Sequence, residues 1–454
     1  MGAGAGPGGC FGRSPAQAPE SPRPMPPAML TQEDLRISTL GPRRRLSPLR
    51  HLHEGPRSFV PDDRRVMYHI EYCHDEVINP LGFEKAGPRE QLYFDPAECR
   101  AAIVTCGGLC PGLNNVIRNL YYKLHSDYGV PSILGIRDGY LGLNPELGEP
   151  PIELTDQMVT QIHHQGGTIL GTSRGPQDPA VMVDYLQELG VNLFFPIGGD
   201  GTQKGAHLIA QEVERRGAKI AVVGVPKTID NDIKFCYRSF GFVSAASEAE
   251  VVIDRAHVEA KSTPRGVGLV KLMGREAGFI AAAATIASGE VNFALIPEVP
   301  FTLEELLPKL ERRLEARGHA VIVVAEGAGQ DLLEHEQGLD KSGNRRLGDI
   351  GHFLKHAITD HFKELGKPAS VKYLDPSYHI RSVTANAADS LLCEMFARCA
   401  VHAAMAGKTD LFIGLWNNRP VHVPLKVSVG QVKRMEPQRD LWSAVLATTG
   451  QEKW

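Results

Sequence analysis

Three glycine-punctuated segments carry the residues best suited to phosphate chemistry: Thr105 to Asn114, Gly198 to Thr202, and Pro226 to Asp232. In the middle one, Gly199, Asp200, Gly201 and Thr202 follow an apolar run at 191–197 and precede a helix-like stretch at 203–216. Backbone without side chains at the start of a helix leaves several N–H donors facing outward, which forms an anion cradle. A carboxylate among such amides is repelled by phosphate unless a divalent cation lies between them. Asp200 therefore points to a Mg-polyphosphate site, and the chain to phosphoryl transfer.

The third segment sets Lys227, Thr228, Asp230 and Asp232 together at the exit of a buried strand. Phosphoryl transfer to a hydroxyl needs a cation for the phosphates, a base near the hydroxyl and donors for the moving charge. Asp230 is the candidate base. The plainer alternative is that Thr228 and Asp230 only cap the turn. Further charged residues stand at other strand ends: Arg174 beside Gly175, Arg275 after Met273 and Gly274, and Glu326, with Lys372, Tyr378 and Arg381 later in the chain. Singly, each is as readily a surface or capping residue; together they fit one cleft. The dinucleotide spacing Gly-x-Gly-x-x-Gly and the Gly-Lys-Ser/Thr phosphate loop are both absent.

These groups need a scaffold that delivers strand ends to one place. Short apolar runs at 101–105, 132–136, 192–197, 220–225, 268–273, 319–325 and 411–415 predict strands. Helical patterns fill 115–125, 156–165, 181–189, 242–261, 303–317, 349–365 and 382–405. Continuous apolar strands separated by amphipathic helices mark parallel sheets covered on both faces, so the class is α/β. Ligands are then expected at the carboxyl ends of the strands.

The 454 residues suffice for two lobes, and 42% hydrophobic with 22% charged residues is an ordinary globular composition. The net charge of −4 and scattered basic residues argue against nucleic acid, and no apolar run is long enough to span a bilayer. Eight cysteines (Cys10, Cys73, Cys99, Cys106, Cys110, Cys236, Cys393, Cys399) include no Cys-x-x-Cys pair, which suits reduced thiols in the cytoplasm. Cys106 and Cys110 lie in a glycine turn without a second ligand pair, so a metal role is the weaker reading. Residues 1–60 are rich in Gly, Ala and Pro and then in Arg, and are expected to be disordered or loosely ordered. A plastid address is the alternative to a cytoplasmic one, favoured by scarce acidic residues and disfavoured by sparse serine.

Taken together, the motifs resemble the phosphofructokinase superfamily, specifically its long plant and protist branch of ATP-dependent 6-phosphofructokinases, over about 65–454. The resemblance implies two Rossmann-like parallel-sheet domains covered by helices, with the active site in the cleft between them. It places a donor domain at about 95–260 with 385–410, a sugar-phosphate domain at 261–384 and a C-terminal segment at 411–454. It implies Gly107, Arg174, Gly175 and Gly199 to Thr202 on the nucleotide, with Asp200 on Mg2+. Thr228, Ile229, Asp230, Met273, Gly274, Arg275, Glu326, Lys372, Tyr378 and Arg381 would meet fructose 6-phosphate, with Asp230 as base. A homo-oligomer, dimer or tetramer, is implied as well.

Gly201 and Lys227 bear on the phosphoryl donor. Pyrophosphate users of the superfamily carry aspartate where Gly201 stands, and a carboxylate there would crowd and repel a nucleotide's α-phosphate. Lys227 is shared with pyrophosphate users, but the plant-type branch combines it with the glycine, so ATP is the expected donor. The competing readings are the pyrophosphate reaction, an NAD or lipid kinase, and a non-catalytic subunit. The last two fit poorly, since the Lys227 to Asp232 and Met273 to Arg275 segments and both key aspartates are present. Arg265 lies one residue from where short enzymes place an arginine that crosses a subunit boundary.

Overall fold

The computed structural model describes residues 1, 30–51, 59–71, 80–333, 338 and 346–452. Two sheets organise them, one of nine strands and one of four. The centre of the large sheet is parallel: Ser132–Ile136, Arg100–Thr105, Leu193–Gly198, Ala221–Pro226 and Leu411–Trp416 lie side by side in that order. Every residue of Leu193–Gly198 and Ala221–Pro226 is buried, as strands covered on both faces require. The edges are antiparallel, with Ile152–Glu153 on one side and Arg419–Pro424, Gly82–Lys85 and Arg65–Met67 on the other. The expectation of a wholly parallel sheet is refined accordingly: a parallel core carries antiparallel rims.

The small sheet is parallel throughout, in the order Phe293–Leu295, His319–Ala325, Gly266–Leu272, Ser370–Leu374. Val267, Leu269, Ile322 and Val324 on one face meet Leu306, Leu310, Leu314, Leu354, Ile358 and Phe362 from the helices Leu303–Arg317 and Ile350–Glu364. The i, i+4 spacing of the three leucines makes that stripe. Thr302 caps the first of these helices by accepting from the Glu305 amide at 3.3 Å.

Helix Phe242–Lys261 carries the chain from the large sheet to the small one, packing on the small sheet and against helix Ala387–Met405. Its start is locked to helix Ala387–Met405. The fully buried Asp389 carboxylate accepts from the Ser244 amide at 2.7 Å and the Ser244 hydroxyl at 2.6 Å. The Ser244 hydroxyl in turn accepts from the Asn386 amide at 2.9 Å, and Asn386 caps its own helix by accepting from the Asp389 amide.

This capping shortens the helix expected over 382–405, which begins at Ala387, while Ser382 closes a separate short helix, Ser377–Ser382. The pattern at 156–165 likewise splits into Asp156–Val159 and a 3-10 turn at Ile162–His164. Residues 30–51 correct the expectation of a loose segment reaching to residue 60. Ser38–Thr39 pairs with Lys408–Thr409, Arg45–Leu46 with Gln91–Leu92, and Leu35, Ile37 and Leu49 are buried. The remainder of that expectation, along with Cys10 and Cys73, falls largely outside the described residues. Within the C-terminal segment, 411–424 supplies two strands of the large sheet, while helix Asp440–Thr449 packs beside the small one.

A buried ionic cluster closes the rim of the large sheet. One Glu84 oxygen takes Arg89 Nη2 at 2.7 Å and Lys408 Nζ at 2.6 Å, with His422 Nδ1 at 3.0 Å. Asp62 takes Arg89 Nε at 2.8 Å and Lys408 Nζ at 3.0 Å, and pairs with Arg43. Burial would raise the Glu84 carboxyl, but His422 and Lys408 outweigh it and hold it well below the usual range. Removing the shared acceptor leaves two buried cations with the partly exposed Asp62 as their one remaining carboxylate partner in the cluster. Glu84→Ala should therefore lower the unfolding free energy by about 3–5 kcal/mol in urea titrations; a change under about 1 kcal/mol would show that the cluster is not stabilising.

Candidate active site

Loops from the carboxyl ends of both sheets come together, since Asp230 from a large-sheet loop lies within electrostatic reach of Arg275 and Glu326 from the small one. Strand Arg100–Thr105 runs into the Cys106 to Gly112 turn, Leu193–Gly198 into helix Asp200–Arg216, and Ala221–Pro226 into the Lys227 to Asp232 loop. From the small sheet, Gly266–Leu272 ends at Met273 to Arg275 and His319–Ala325 at Glu326.

Gly107 has φ +84°, a conformation glycine adopts without strain, and a Cβ there would stand 3.3 Å from Lys227 Nζ. The Lys227 ammonium is buried and donates to the Gly108 carbonyl at 2.7 Å. Arg174 Nη2 lies 3.3 Å, and Arg381 Nη1 3.8 Å, from where a Gly108 Cβ would be. Three cations from distant parts of the chain thus surround one bare turn. The Gly171 to Gly175 loop is tied to that turn, since Thr172 Oγ1 donates to the Gly107 carbonyl at 2.7 Å and the Gly107 amide to Ser173 at 3.0 Å. Burial pushes the Cys106 thiol up to about 12, and Cys110 donates to the Phe240 carbonyl at 3.2 Å, so both are buried neutral thiols.

Gly199 caps helix Asp200–Arg216, leaving Asp200 exposed in its first turn and Thr202 buried, with Tyr140 donating to the Thr202 carbonyl at 2.7 Å. A Cβ at Gly201 would meet nothing within 4 Å. Although the Asp200 side chain still reaches solvent, the loops around it desolvate the carboxyl and raise it; the Gly430 amide works against this and the charge of Asp232 adds to it.

Asp230 is the most perturbed group of the cleft. Its Oδ1 is sealed from solvent and has no hydrogen-bond partner. Burial pushes its carboxyl well above the ordinary carboxylate value, the charges of Asp232 and Glu326 push further, and Lys227 and Arg275 pull back. Glu326 is raised by burial and opposed by Arg275, Lys271 and Arg381. Carboxylates of the large sheet's loops therefore share one electrostatic environment with the small sheet's Arg275 and Glu326.

Asn231 shapes that loop, a role the sequence reading does not assign to it. It sits at φ 55°, where asparagine is among the tolerated residues, donates to the Tyr237 carbonyl at 3.2 Å and accepts from the Ser239 amide at 3.1 Å. Ser239 donates to the Thr228 carbonyl at 2.7 Å, and Thr228 Oγ1 accepts from the Asp230 amide at 3.1 Å. Asn114 is another unassigned anchor, accepting from the Ile169 amide at 2.9 Å and donating to the Gln165 carbonyl at 3.1 Å. The Asp-Asn-Asp order itself, a turn-forming residue between two acids, is the available signal for Asn231.

The remaining expected residues divide. Ile229 is buried in the core, and Met273 packs against it. A Cβ at Gly274, φ +127°, would strike the Ala277 carbonyl at 2.6 Å. Tyr378 is exposed, with the Arg381 guanidinium 4.6 Å from its ring centroid, a cation–π distance. Lys372 is not drawn to the cluster; it pairs with Glu259 at 3.6 Å. Arg265 lies at the opposite, amino end of strand Gly266–Leu272, its guanidinium 5.1 Å from the Phe362 ring.

The residues fit a divalent cation. Asp200 and Asp232, with Asp230 beside them, crowd negative charge that no buried cation fully offsets. Among the described residues no three His, Cys, Asp or Glu side chains close into a ready-made cage. Mg2+ in phosphate sites commonly takes one or two carboxylates and fills the rest with phosphate and water.

The phosphofructokinase family model matches residues 100–404. The chain belongs to the phosphofructokinase family. It is 46% identical over 432 residues to the ATP-dependent 6-phosphofructokinase of Borreliella burgdorferi, covering 92% of this chain and 97% of that protein. To the enzyme of the same name from Trypanosoma cruzi it is 44% identical over 429 residues, 92% and 88% of the two chains. The crystal structure of a pyrophosphate-dependent phosphofructokinase from Marinobacter aquaeolei is similar with a TM-score of 0.65 at 23% identity, over 78% of this chain and 92% of that one, which shows a shared fold.

The like charge of Asp232 generates a direct expectation for this phosphofructokinase site. Asp230 has a raised value in the folded protein, so it protonates at higher pH than a free carboxylate; removing a neighbouring negative charge lowers that value. Asp232→Asn should move the Asp230 titration to lower pH, followed by carboxyl 13C NMR on aspartate-labelled protein. An unmoved titration would show that the two carboxylates do not interact.

Proposed function

We propose that this chain transfers the terminal phosphoryl group of ATP to the C1 hydroxyl of fructose 6-phosphate, giving fructose 1,6-bisphosphate and ADP. The observation that carries the reading is Asp230: a buried carboxylate oxygen without a partner, on the boundary between the polyphosphate cradle and the Arg275–Glu326 edge. An unpaired acceptor there is what a base awaiting a hydroxyl proton requires. The high identity to relatives named ATP-dependent 6-phosphofructokinase supports the same reaction.

In this reading the Gly107–Gly108 turn, Arg174, Gly175 and the Gly199 to Thr202 amides hold the nucleotide. Bound Mg2+, held by Asp200, supplies charge neutralisation of the phosphate oxygens. Asp230 takes the C1 hydroxyl proton, with Thr228 fixing the loop that carries it. Arg275 stabilises negative charge on the moving group, and Glu326 orients sugar hydroxyls. Arg381, held over Tyr378, meets the phosphate already on the sugar. The open space beside Gly201 supports ATP as donor, and Lys227 braces the turn rather than deciding between donors.

The positions of Lys372 and Arg265 support a homo-oligomer, dimer or tetramer, because neither residue reaches the cleft of its own chain. Arg265 Nε and Nη2 are buried without hydrogen-bond partners. Among the described residues, six buried free cysteines support a reducing, cytoplasmic location. Among the described residues no helix is long and apolar enough to cross a membrane.

Asp230→Ser should lower kcat by about 10²–10⁴-fold, roughly 3–5 kcal/mol of barrier, with the KM for fructose 6-phosphate little changed. Unaltered kcat would overturn the assignment. Gly201→Asp should fold with an unchanged Tm, given the empty space at its Cβ, while raising the KM for ATP. An unchanged ATP KM in that variant would contradict the donor assignment.

A further inference from the structure

Residues 428–436 cross the cleft and touch both halves of the catalytic apparatus. On the large-sheet side, Val432 bridges to Ile233, Ser428 Oγ donates to the Lys234 carbonyl at 3.1 Å, and the Lys433 amide donates to the Asp232 carbonyl at 2.8 Å. Lys433 Nζ donates to the carbonyls of Cys236 at 2.6 Å and Tyr237 at 3.1 Å. The Tyr237 carbonyl is the one Asn231 also holds, so Lys433 braces the turn that aims Asp230 and Asp232.

On the small-sheet side, the same ammonium lies 5.1 Å from the ring centroid of Phe279, the first residue of helix Phe279–Ser288. Arg434 Nη2 pairs with Glu276 at 2.5 Å, one residue beyond Arg275. The Met435 amide donates to Glu298 Oε1 at 2.9 Å, and the Gly278 amide donates to the same carboxylate at 3.0 Å. Further on, Gln451 hooks to Ala294, accepting from its amide at 2.7 Å and donating to its carbonyl at 3.3 Å.

We propose that this C-terminal strap is a positioning element of the active site: Lys433 and Arg434 hold the Asp230–Asp232 loop and the Arg275 loop in register across the cleft. Neither residue touches the reacting atoms. A cation that satisfies two carbonyls of one loop while resting on a ring of the other domain fixes their separation, and a shift of about 1 Å in such alignment costs on the order of 10²-fold in rate. Asp230 and Arg275 sit on different sheets, so backbone hydrogen bonding within either sheet cannot set the distance between them.

The inference rests on the proposed activity, and its test separates the two. Full-length Lys433→Met should lose about tenfold or more in kcat with fructose 6-phosphate and MgATP, while the KM for ATP stays within about twofold. Lys433→Arg, which keeps a donor for both carbonyls, should recover most of the loss. Arg434→Glu and Glu276→Arg, both on exposed side chains, should each lower kcat, and the double variant should regain it. Without substrates, hydrogen exchange in Lys433→Met should quicken over 228–237 and 273–278 and nowhere else.

Wild-type kcat in Lys433→Met, a loss that Lys433→Arg does not relieve, or no recovery in the charge-swapped double variant would each overturn the proposal. If wild-type protein shows no turnover of fructose 6-phosphate, the activity assignment fails, and the hydrogen-exchange comparison alone still decides whether the strap orders both loops.

Discussion

Negative charge crowded where the loops of two sheets meet is the constraint around which this molecule is built. Burial raises the Asp200, Asp230 and Glu326 carboxyls, the charge of Asp232 adds to the first two and that of Glu326 to Asp230, and Lys227, Arg275 and Arg381 offset only part of this. Such a site opposes folding by itself, because buried like charges and an orphaned acceptor have no compensation within the chain. It becomes favourable when a cation, phosphate groups and a hydroxyl donor fill it. Stability sacrificed at a functional site has to be recovered elsewhere.

The recovery lies in the parts that do no chemistry. Fully buried parallel strands hold the loop origins in fixed register, and the Ser244–Asn386–Asp389 interlock clamps the start of the helix joining the two sheets. The Glu84 cluster secures the rim and draws residues 43 and 62 onto the body. Each loop is then bent by a residue that tolerates its geometry: Gly107 at φ +84° and Asn231 at φ 55°. Rigid sheets set where the loops begin, and local turns set where the side chains end. The distance across the cleft is left to elements that touch both lobes, the Phe242–Lys261 helix and the C-terminal strap.

Much of this is legible in the amino-acid order because its signals are local. The patterns at 242–261, 303–317 and 319–325 coincide with the observed elements, since Gly241, Thr302 and Gly318 bound them by recognisable capping chemistry. Placement of charged residues at strand exits follows from α/β topology alone. What is not legible depends on distant partners. Strand Arg419–Pro424 begins and ends among residues that discourage strands and exists because it pairs with Leu411–Trp416. Leu35, Ile37 and Leu49 are scattered through a polar segment and are buried only once Lys408–Thr409 and Gln91–Leu92 accept its strands. Asn231 and Lys433 meet at one carbonyl from positions roughly two hundred residues apart, a relation no spacing rule contains.

A coupled assay for fructose 1,6-bisphosphate decides whether these loops form one nucleotide-driven sugar-phosphate kinase site. Purified protein with fructose 6-phosphate would be given ATP or pyrophosphate, each with and without Mg2+. Turnover with ATP should require Mg2+, and turnover with pyrophosphate should be negligible. Product formed preferentially from pyrophosphate, or none with either donor, would contradict that assignment.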